Sequence, residues 1–468
     1  MSIDVLLIKP DFNDIAVMPH LGLGYLASAL AAKGMSVQIH DNTLLEYDDH
    51  RMVGLIKEVA PRVVGIYAAT PMIKRALEIA GLARKVSTDI LTVMGGPHPS
   101  CTVEETLHCK DLDVVVIGEG EESFPQVVAS HIGGSKDFSD IEGCAFKNDK
   151  HEIVLSPPRE MIKDLDSLPF PALDMMPIEL YFKKRSNFGV LQKNSRSLPI
   201  IASRGCPSNC TFCQRFLGKK FRVRSAENIV DELVYMKNKF NVTEFNFLDD
   251  NFTLHKRRVL EVCDLIHKKG LKITFRFPNG VREDFLDEDI LRALKSVGCY
   301  HLDFGIESGS QKVLDLMKKG KKIEKIAEKV HLCKKNGFKL SASFLFGTPG
   351  ETLGDMEESI RFAVSLPLDS ASFGTVIPFP GTELRKEVIE KGYLVHSEYE
   401  YYNPGLDNFK PPIETQEWTA DDLLDMLKKA NQAFFFRPKQ VLKMLPTIML
   451  NPSNIRRYMV SLFRTIKG

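Results

Sequence analysis

Three of the nine cysteines crowd into the run Ser203-Arg204-Gly205-Cys206-Pro207-Ser208-Asn209-Cys210-Thr211-Phe212-Cys213. Pro207 lacks an N–H and has a fixed φ, which favours a loop or a helix start over a continuous helix. Gly205 permits a sharp exit from the preceding segment. A loop of this kind can wrap a metal core, and thiolates are the usual ligands of iron–sulfur clusters. Three thiolates on a four-iron cube leave one iron open, where a substrate or cofactor can bind. A structural zinc site is the competing reading, but such sites are normally closed by four ligands. His255 and Cys263 stand alone, and no second pair of ligands follows at finger-like spacing. Three unrelated thiols are the remaining alternative.

The spacing Cys-x3-Cys-x2-Cys, with the aromatic Phe212 just before the last cysteine, resembles the signature of the radical SAM superfamily, and the likeness extends over about residues 197 to 390. Leu248-Asp249-Asp250-Asn251-Phe252 stands where the family contacts the amino group of S-adenosylmethionine (SAM). It resembles a variant common in the cobalamin-linked branch. Gly305-Ile306-Glu307-Ser308-Gly309 looks like the ribose and carboxylate region. Phe346-Gly347-Thr348-Pro349-Gly350-Glu351 and Pro378-Phe379-Pro380-Gly381-Thr382 end two later strands. The resemblance implies a [4Fe–4S] cluster on Cys206, Cys210 and Cys213, and SAM contacts at Phe212, Asp249, Asp250, Asn251, Glu307, Ser308 and Gly347. Helix capping by the aspartates and simple turn formation by the glycines are the alternatives. In the implied chemistry the open iron chelates SAM, one electron reaches the sulfonium, and a 5′-deoxyadenosyl radical abstracts a substrate hydrogen. Iron–sulfur potentials extend down to about −700 mV, so the required reductant is accessible.

Two cofactor readings meet in the first 135 residues. Gly22-Leu23-Gly24-Tyr25-Leu26-Ala27 followed by Asp41 matches a dinucleotide fingerprint. That fingerprint needs glycine straight after the strand, whereas 10–20 intervene, so the small residues are read as permitting close helix packing. The alternative is cobalamin. Pro19-His20-Leu21-Gly22-Leu23-Gly24-Tyr25-Leu26, Gly95-Gly96-Pro97-His98-Pro99 and Gly118-Glu119-Gly120-Glu121 resemble the cobalamin-binding radical SAM family. The resemblance implies corrin contacts at Thr70, Gly95, Gly96, Gly118 and Glu119. Many such domains ligate cobalt through Asp-x-His-x-x-Gly. Asp48-Asp49-His50 departs from it, because it follows the second strand and Gly54 lies one residue too far. His20 and His98 are nearby, although a loop or core role explains each of them. An emptied domain that helps hold substrate is the third reading.

Strand and helix signals alternate across these regions. Short apolar runs at 3–9, 36–40, 63–67, 90–94 and 114–117 suit strands buried on both faces. Helical patterns lie at 21–33, 52–59, 73–86 and 103–108. A second series places strands at 199–202, 244–248, 272–277, 301–305, 341–346 and 372–377. The predicted fold is α/β: a doubly wound, Rossmann-like parallel sheet over 1–135, a proline-punctuated linker over 136–195, a partial (β/α)6 barrel over 196–395 and a helical region over 396–468. Thr419 is a plausible N-cap for the last part. Arg276, Tyr300 and His301 lie on or near barrel strands, but packing accounts for them equally, so no proton donor or acceptor is singled out.

The chain has 468 residues, is 44% hydrophobic and 26% charged, and carries a formal net charge of +1, which argues against a general nucleic-acid binder. The scattered, odd set of cysteines is not a disulfide framework. No apolar run is long enough to span a bilayer, and the first ten residues lack the order of a secretory signal, so a cytoplasmic location is expected. From Arg437 to Gly468 there are seven Lys or Arg and no Asp or Glu, interleaved with apolar residues. That stretch suits either a helical cap on the barrel or a peripheral contact with an anionic membrane. The expected partners are a small-molecule or lipid-like substrate and an electron donor such as flavodoxin or ferredoxin. The leading expectation is a cobalamin-dependent radical SAM methyltransferase acting at an unreactive carbon (or phosphorus). A non-methylating enzyme of the same architecture, such as an oxidative cyclase or a carbon–carbon coupling enzyme, is the alternative. A cofactor-binding protein without turnover and a nicotinamide oxidoreductase stand further off.

Overall fold

A computed structural model describes residues 3–12, 17–184, 193–194, 196–399, 409–438 and 440. Contacts divide the chain into two units. The first comprises the described parts of 1–207, 214–249 and 398–407; the second comprises those of 208–213, 250–397 and 408–468.

In the first unit the five expected apolar runs form β1 (Val5–Lys9), β2 (Val37–Asp41), β3 (Val63–Tyr67), β4 (Leu91–Gly95) and β5 (Val114–Val116). They pair in parallel in the order β2-β1-β3-β4-β5. Leu6, Ile8, Val64 and Ile66 face a core shared with α2 (Asp49–Val59) and α3 (Ile73–Val86). On the opposite face Gly65 lies against Leu7 and against Phe124 of α4 (Gly120–Ile132), which leaves no room for a Cβ. Helices therefore cover both faces, as a parallel sheet requires.

Two elements depart from expectation. Helix α4 escapes the pattern reading because Pro125 interrupts it. Part of the region read as linker instead extends the sheet: β6 (Cys144–Lys147) pairs antiparallel with β5, and β7 (Ile153–Leu155) pairs antiparallel with β6. β6 is a buried strand of four residues and β7 a half-buried edge strand of three, and runs this short carry little periodicity, which is why their sequence reads as irregular.

The same unit holds β8 (Ser197–Ile200), a short antiparallel pair β9 (Ser203–Arg204) and β10 (Arg222–Val223), helix α5 (Ala226–Phe240) and β11 (Glu244–Phe247), which runs parallel to β8. The second unit holds β12 (Thr274–Val281), β13 (Cys299–Glu307), β14 (Lys339–Phe346) and β15 (Ser370–Thr375), parallel and in that spatial order. These six parallel strands are the ones expected of the barrel. One face of the four-stranded sheet is apolar, with Leu302, Phe304, Leu340, Phe344 and Phe346 buried. Phe373 on β15 meets Phe434 of α10 (Ala420–Phe435; α6 to α9 are Lys256–Lys268, Glu288–Ser296, Ile323–Lys335 and Leu353–Ser365). Helix α10 opens with Thr419 in a capping box with Asp422, as its sequence predicts. Among the described residues no helix is long and apolar enough to cross a membrane. The basic stretch beyond residue 440 lies outside the described residues.

The glycines of the dinucleotide-like run lie within α1 (Leu21–Ala32), not in a strand-to-helix turn. A Cβ on Gly24 would stand 2.8 Å from Cβ of Pro171, and the Ala172 N–H bonds to the Gly24 carbonyl at 3.0 Å. Close approach, not phosphate binding, explains this glycine. Gly24→Val should therefore destabilise the chain by about 1–3 kcal/mol, the usual cost of overpacking. A lowered midpoint in denaturant melts is expected; an unchanged midpoint would show that the contact yields freely.

Candidate functional site

The cysteine loop is built from its stems. Beyond β8 the backbone turns at Ala202, whose N–H donates to both carboxylate oxygens of Asp249 at 3.2 Å, and the Ser203 hydroxyl also bonds to Asp249. Asp249 is buried, so it holds the entry to the loop. Strands β9 and β10 then pair, with Arg204 opposite Arg222. Gly205 takes φ +83°, and a Cβ there would stand 2.4 Å from the Lys220 carbonyl oxygen. Only glycine makes that exit, and the Cys206 N–H closes it on the Gly218 carbonyl at 3.3 Å.

In the second unit Thr211 anchors the end of the loop: its N–H donates to the Met317 carbonyl at 3.1 Å, and its own carbonyl accepts from Leu384 N–H at 2.9 Å. Arg282 donates to the Ser208 hydroxyl at 3.0 Å. Cys210 is buried and Cys213 exposed. The Cys210 thiol is pulled down to about 6, first by its hydrogen bond from Cys213 and also by the Lys319 ammonium, against the effect of burial. Cys213 is pushed up first because it donates that bond. The Lys319 ammonium lies 2.7 Å from Glu307 and 5.6 Å from the centre of the Phe212 ring. Glu307 adopts φ +73°, strained for a residue with a side chain, and Gly305 makes room for its carboxylate.

The donor set suits a cluster. Its three thiols are the ligand type that iron–sulfur clusters take, one thiolate per iron, and three of them leave the fourth iron of a cube open. The Asn251 side-chain N–H2 is buried without a hydrogen-bond partner, so it can serve a ligand's acceptor, while its carbonyl accepts from Thr253 at 3.2 Å. Asp250 is exposed. Ser308 is engaged with Ser359 and the Ser310 N–H, and the Gly347 N–H donates to Glu351 at 2.7 Å.

Sequence reasoning missed Lys319 and Lys321, and it quoted Glu351 within the motif that ends β14 without giving it a role. The run Lys318-Lys319-Gly320-Lys321-Lys322 reads as solvated charge. In the structure its members alternate exposed and buried, with Lys321 paired to buried Glu283 at 2.6 Å. Arg276 and His301 are opposite each other on β12 and β13, and both are buried. His301 bonds to Ser341 at 2.8 Å and is pushed down to about 3, first by burial and then by Arg276. Asp303, 3.2 Å from that ring, is pushed up to about 7 by burial. Tyr300 is buried among the strands.

At the carboxyl ends of the first sheet, the order β2-β1-β3 creates a topological switch point between β1 and β3, where open α/β sheets bind ligands. Gly96 takes φ +115° and Gly118 φ +74°, and a Cβ on Gly96 would stand 2.7 Å from the Ala68 carbonyl oxygen. Glycine-edged strand ends suit a large flat ligand. Thr70 bonds to His98 at 3.3 Å. His20 caps α1, its Nδ1 accepting from Leu23 N–H at 3.1 Å. Burial pushes it down to about 3, so the neutral ring carries its proton on Nε2 and offers no lone pair there. His50 is exposed on α2, and Asp48 caps that helix. Glu119 turns away from the strand ends, with both oxygens bonded to Arg204, Arg222 and the Ile162 N–H.

Residues 200–363 match the family model for the radical SAM superfamily, and residues 16–128 match that for the B12 binding domain. The chain is 32% identical to an uncharacterized methyltransferase of Pyrococcus horikoshii over 91% of this chain and 89% of that one. It is 28% identical to the anaerobic magnesium-protoporphyrin IX monomethyl ester cyclase of Rubrivivax gelatinosus, covering 92% and 77%. The structure of the radical SAM methyltransferase TsrM from Kitasatospora setae, with cobalamin and [4Fe–4S] cluster bound, superposes with a TM-score of 0.73 at 17% identity, covering 94% and 90%. The fold is accordingly an N-terminal doubly wound α/β domain, a partial radical SAM barrel and a helical C-terminal region.

Glu351 supplies a test of the β14 loop. Burial pushes its carboxyl up to about 8, against the bonds it accepts from the Thr348 and Gly347 N–H groups. The folded state holds this proton more tightly than the unfolded chain. Its stabilising contribution is full below the ordinary value of 4.5 and is lost as pH rises through about 8. Glu351→Gln should flatten the fall of the thermal midpoint across that window and match or exceed the native chain above it. Parallel pH profiles would show that Glu351 is not protonated in the folded state.

Proposed function

We propose, since the chain belongs to the cobalamin-binding branch of the radical SAM superfamily, that it is a cobalamin-dependent radical SAM methyltransferase acting on an unreactive carbon of a small molecule. The observation that carries this reading is the cysteine loop, with the buried Lys319–Glu307 pair beside Cys210 and Phe212. Cys206, Cys210 and Cys213 would hold the cluster. When bound, the cluster and SAM supply one-electron cleavage of a sulfonium carbon–sulfur bond, and cobalamin supplies a methyl carrier. Residues 1–135 are the proposed cobalamin domain and 196–395 the proposed catalytic barrel, with 136–195, whose β6 and β7 extend the first sheet, between them and 396–468 following.

The chain's own groups have definable tasks. Lys319 favours thiolate at Cys210 and fixes the Glu307 carboxylate, which its left-handed backbone aims. Asn251 offers its N–H2 to an acceptor oxygen of SAM, the carboxylate or a ribose hydroxyl. Gly347, with φ +92°, keeps the end of β14 free of a side chain, where Leu423 would otherwise be struck. The glycine edges at Gly95, Gly96 and Gly118, together with Thr70, would face the corrin. A cyclase among the relatives favours a second reading, an oxidative ring closure by the same cofactors.

Anaerobic reconstitution with SAM, a strong reductant and a fractionated extract, with and without cobalamin, tests the proposal. Release of 5′-deoxyadenosine together with cobalamin-dependent S-adenosylhomocysteine is expected, and Cys210→Ala should abolish both. Release of 5′-deoxyadenosine alone would favour the cyclase reading. No product in any tube would overturn both.

Asn251→Ala removes a buried donor, a change worth about 1–3 kcal/mol, so KM for SAM should rise roughly tenfold or more. An unchanged KM would remove Asn251 from the SAM site.

A further inference from the structure

Glu119 follows β5 in the first unit and is spent on a network that sequence reasoning did not foresee. Its side chain is 3% exposed, as is that of Arg222, and that of Arg204 is 8% exposed. One carboxylate oxygen accepts from Arg204 at 2.8 Å and from Arg222 at 2.9 Å. The other accepts from Arg222 at 2.7 Å and from the Ile162 N–H at 2.8 Å. Arg222 also donates to the carbonyls of Ile162 and Leu217, at 2.7 and 3.0 Å. Arg204 reaches Glu121 at 2.6 Å. The two arginines are register partners on β9 and β10, the strands that lead into and out of the cysteine loop. Arg204 stands two residues before Cys206, and Arg222 returns the chain after Cys213.

We infer that Glu119 is a positioning residue: through Arg204 and Arg222 it ties the loop after β5 to both stems of the cysteine loop, and it does not contact the corrin. Burial opposes its charge, yet the bonds from Arg222 and Arg204 hold its carboxyl below the usual range. Apolar packing of the same volume would serve stability as well as a buried ion pair does. What the charged, forked contacts add is direction. Groups that support metal ligands from behind are worth about 10-fold to 100-fold in metal affinity. The inference rests on the cluster reading of the loop.

The test uses the full chain with Glu119→Gln, Arg222→Lys and Arg222→Gln. Each is reconstituted anaerobically with iron and sulfide, and three quantities are read: iron retained per chain, cobalamin affinity by absorbance titration, and the thermal midpoint before reconstitution. Glu119→Gln and Arg222→Gln should lose about 10-fold or more in iron affinity with cobalamin affinity unchanged. Arg222→Lys keeps the charge but loses the fork, and should fall between them and the native chain. Weakened cobalamin binding with full iron uptake in Glu119→Gln would show a corrin contact and overturn the inference. Native behaviour in all three variants would also overturn it, as would equal loss of cobalamin and iron, which marks a pair that holds the fold as a whole. Should Glu119→Gln not fold, the two Arg222 variants carry the same outcomes. If the native chain takes up no iron, the cluster reading itself fails; if the native chain loads and the variants load equally, only the positioning role fails.

Discussion

The stems of the cysteine loop depend on one buried carboxylate shared by two guanidiniums. Glu119 is desolvated, and a desolvated charge without partners would cost several kcal/mol. Arg204 and Arg222 supply the opposite charge, the Ile162 N–H adds a donor to Glu119, and the carbonyls of Ile162 and Leu217 accept from Arg222. Removing any one member strands another, so the three residues fix one another's places. Because Arg204 and Arg222 are register partners, the constraint passes directly to the short strand pair from which the cysteine loop departs. Asp249 adds a second fixed point at Ala202 and Ser203. A loop that must present three thiols in one arrangement is thereby held at its base by backbone and ionic contacts together.

The second unit repeats the principle at closer range to the thiols. Lys319 is buried against Glu307, and Lys321 against Glu283. Their burial raises the effective strength of each charge on its neighbours. Lys319 thus acts on Cys210 as well as on Glu307, which no exposed lysine at that distance would do so strongly. The left-handed backbone at Glu307 falls where the pairing of β13 with β14 shifts register, between Gly305 and Glu307, and this irregularity re-aims the carboxylate toward Lys319.

These pairings also explain what sequence reading reaches and what it does not. The five strands of the first sheet and the six of the second series are local signals: short apolar runs between helical patterns. The cysteine trio is equally local, and so are the glycine at 205 and the cap at Thr419. Glu119 is different. Its chemistry suits a strand-end ligand contact, and only the partners at 204 and 222, more than eighty residues away, show where its charge is spent. Lys319 and Lys321 hide in a run whose composition reads as surface, and what separates them from Lys318 and Lys322 is burial alone. The strands at 144–147 and 153–155 are short pieces, the second at the sheet's edge, whose existence depends on the strand each joins.

The two faces of the β12–β15 sheet bear on what such a scaffold can hold. A closed eight-stranded barrel fills its interior with layers of Val, Ile and Leu. Here one face is apolar, and on it Phe373 meets Phe434 of α10. The other carries His301, Asp303 and Gly305 on β13, Ser341 and Ser343 on β14, and Ser370 and Ser372 on β15. Ser343, Ser372 and Lys339 are exposed, and the other four residues on the two serine-bearing strands and at Asp303 and Gly305 are half-buried. Polar and small side chains in this register cannot make a packed core, because their hydrogen-bonding groups need partners that hydrocarbon does not supply. The face is suited to water or to a polar ligand. A sheet with one face committed to apolar packing and the other lined by polar groups has given up part of its hydrophobic stabilisation, and the apolar face and the buried ion pairs must make up the difference.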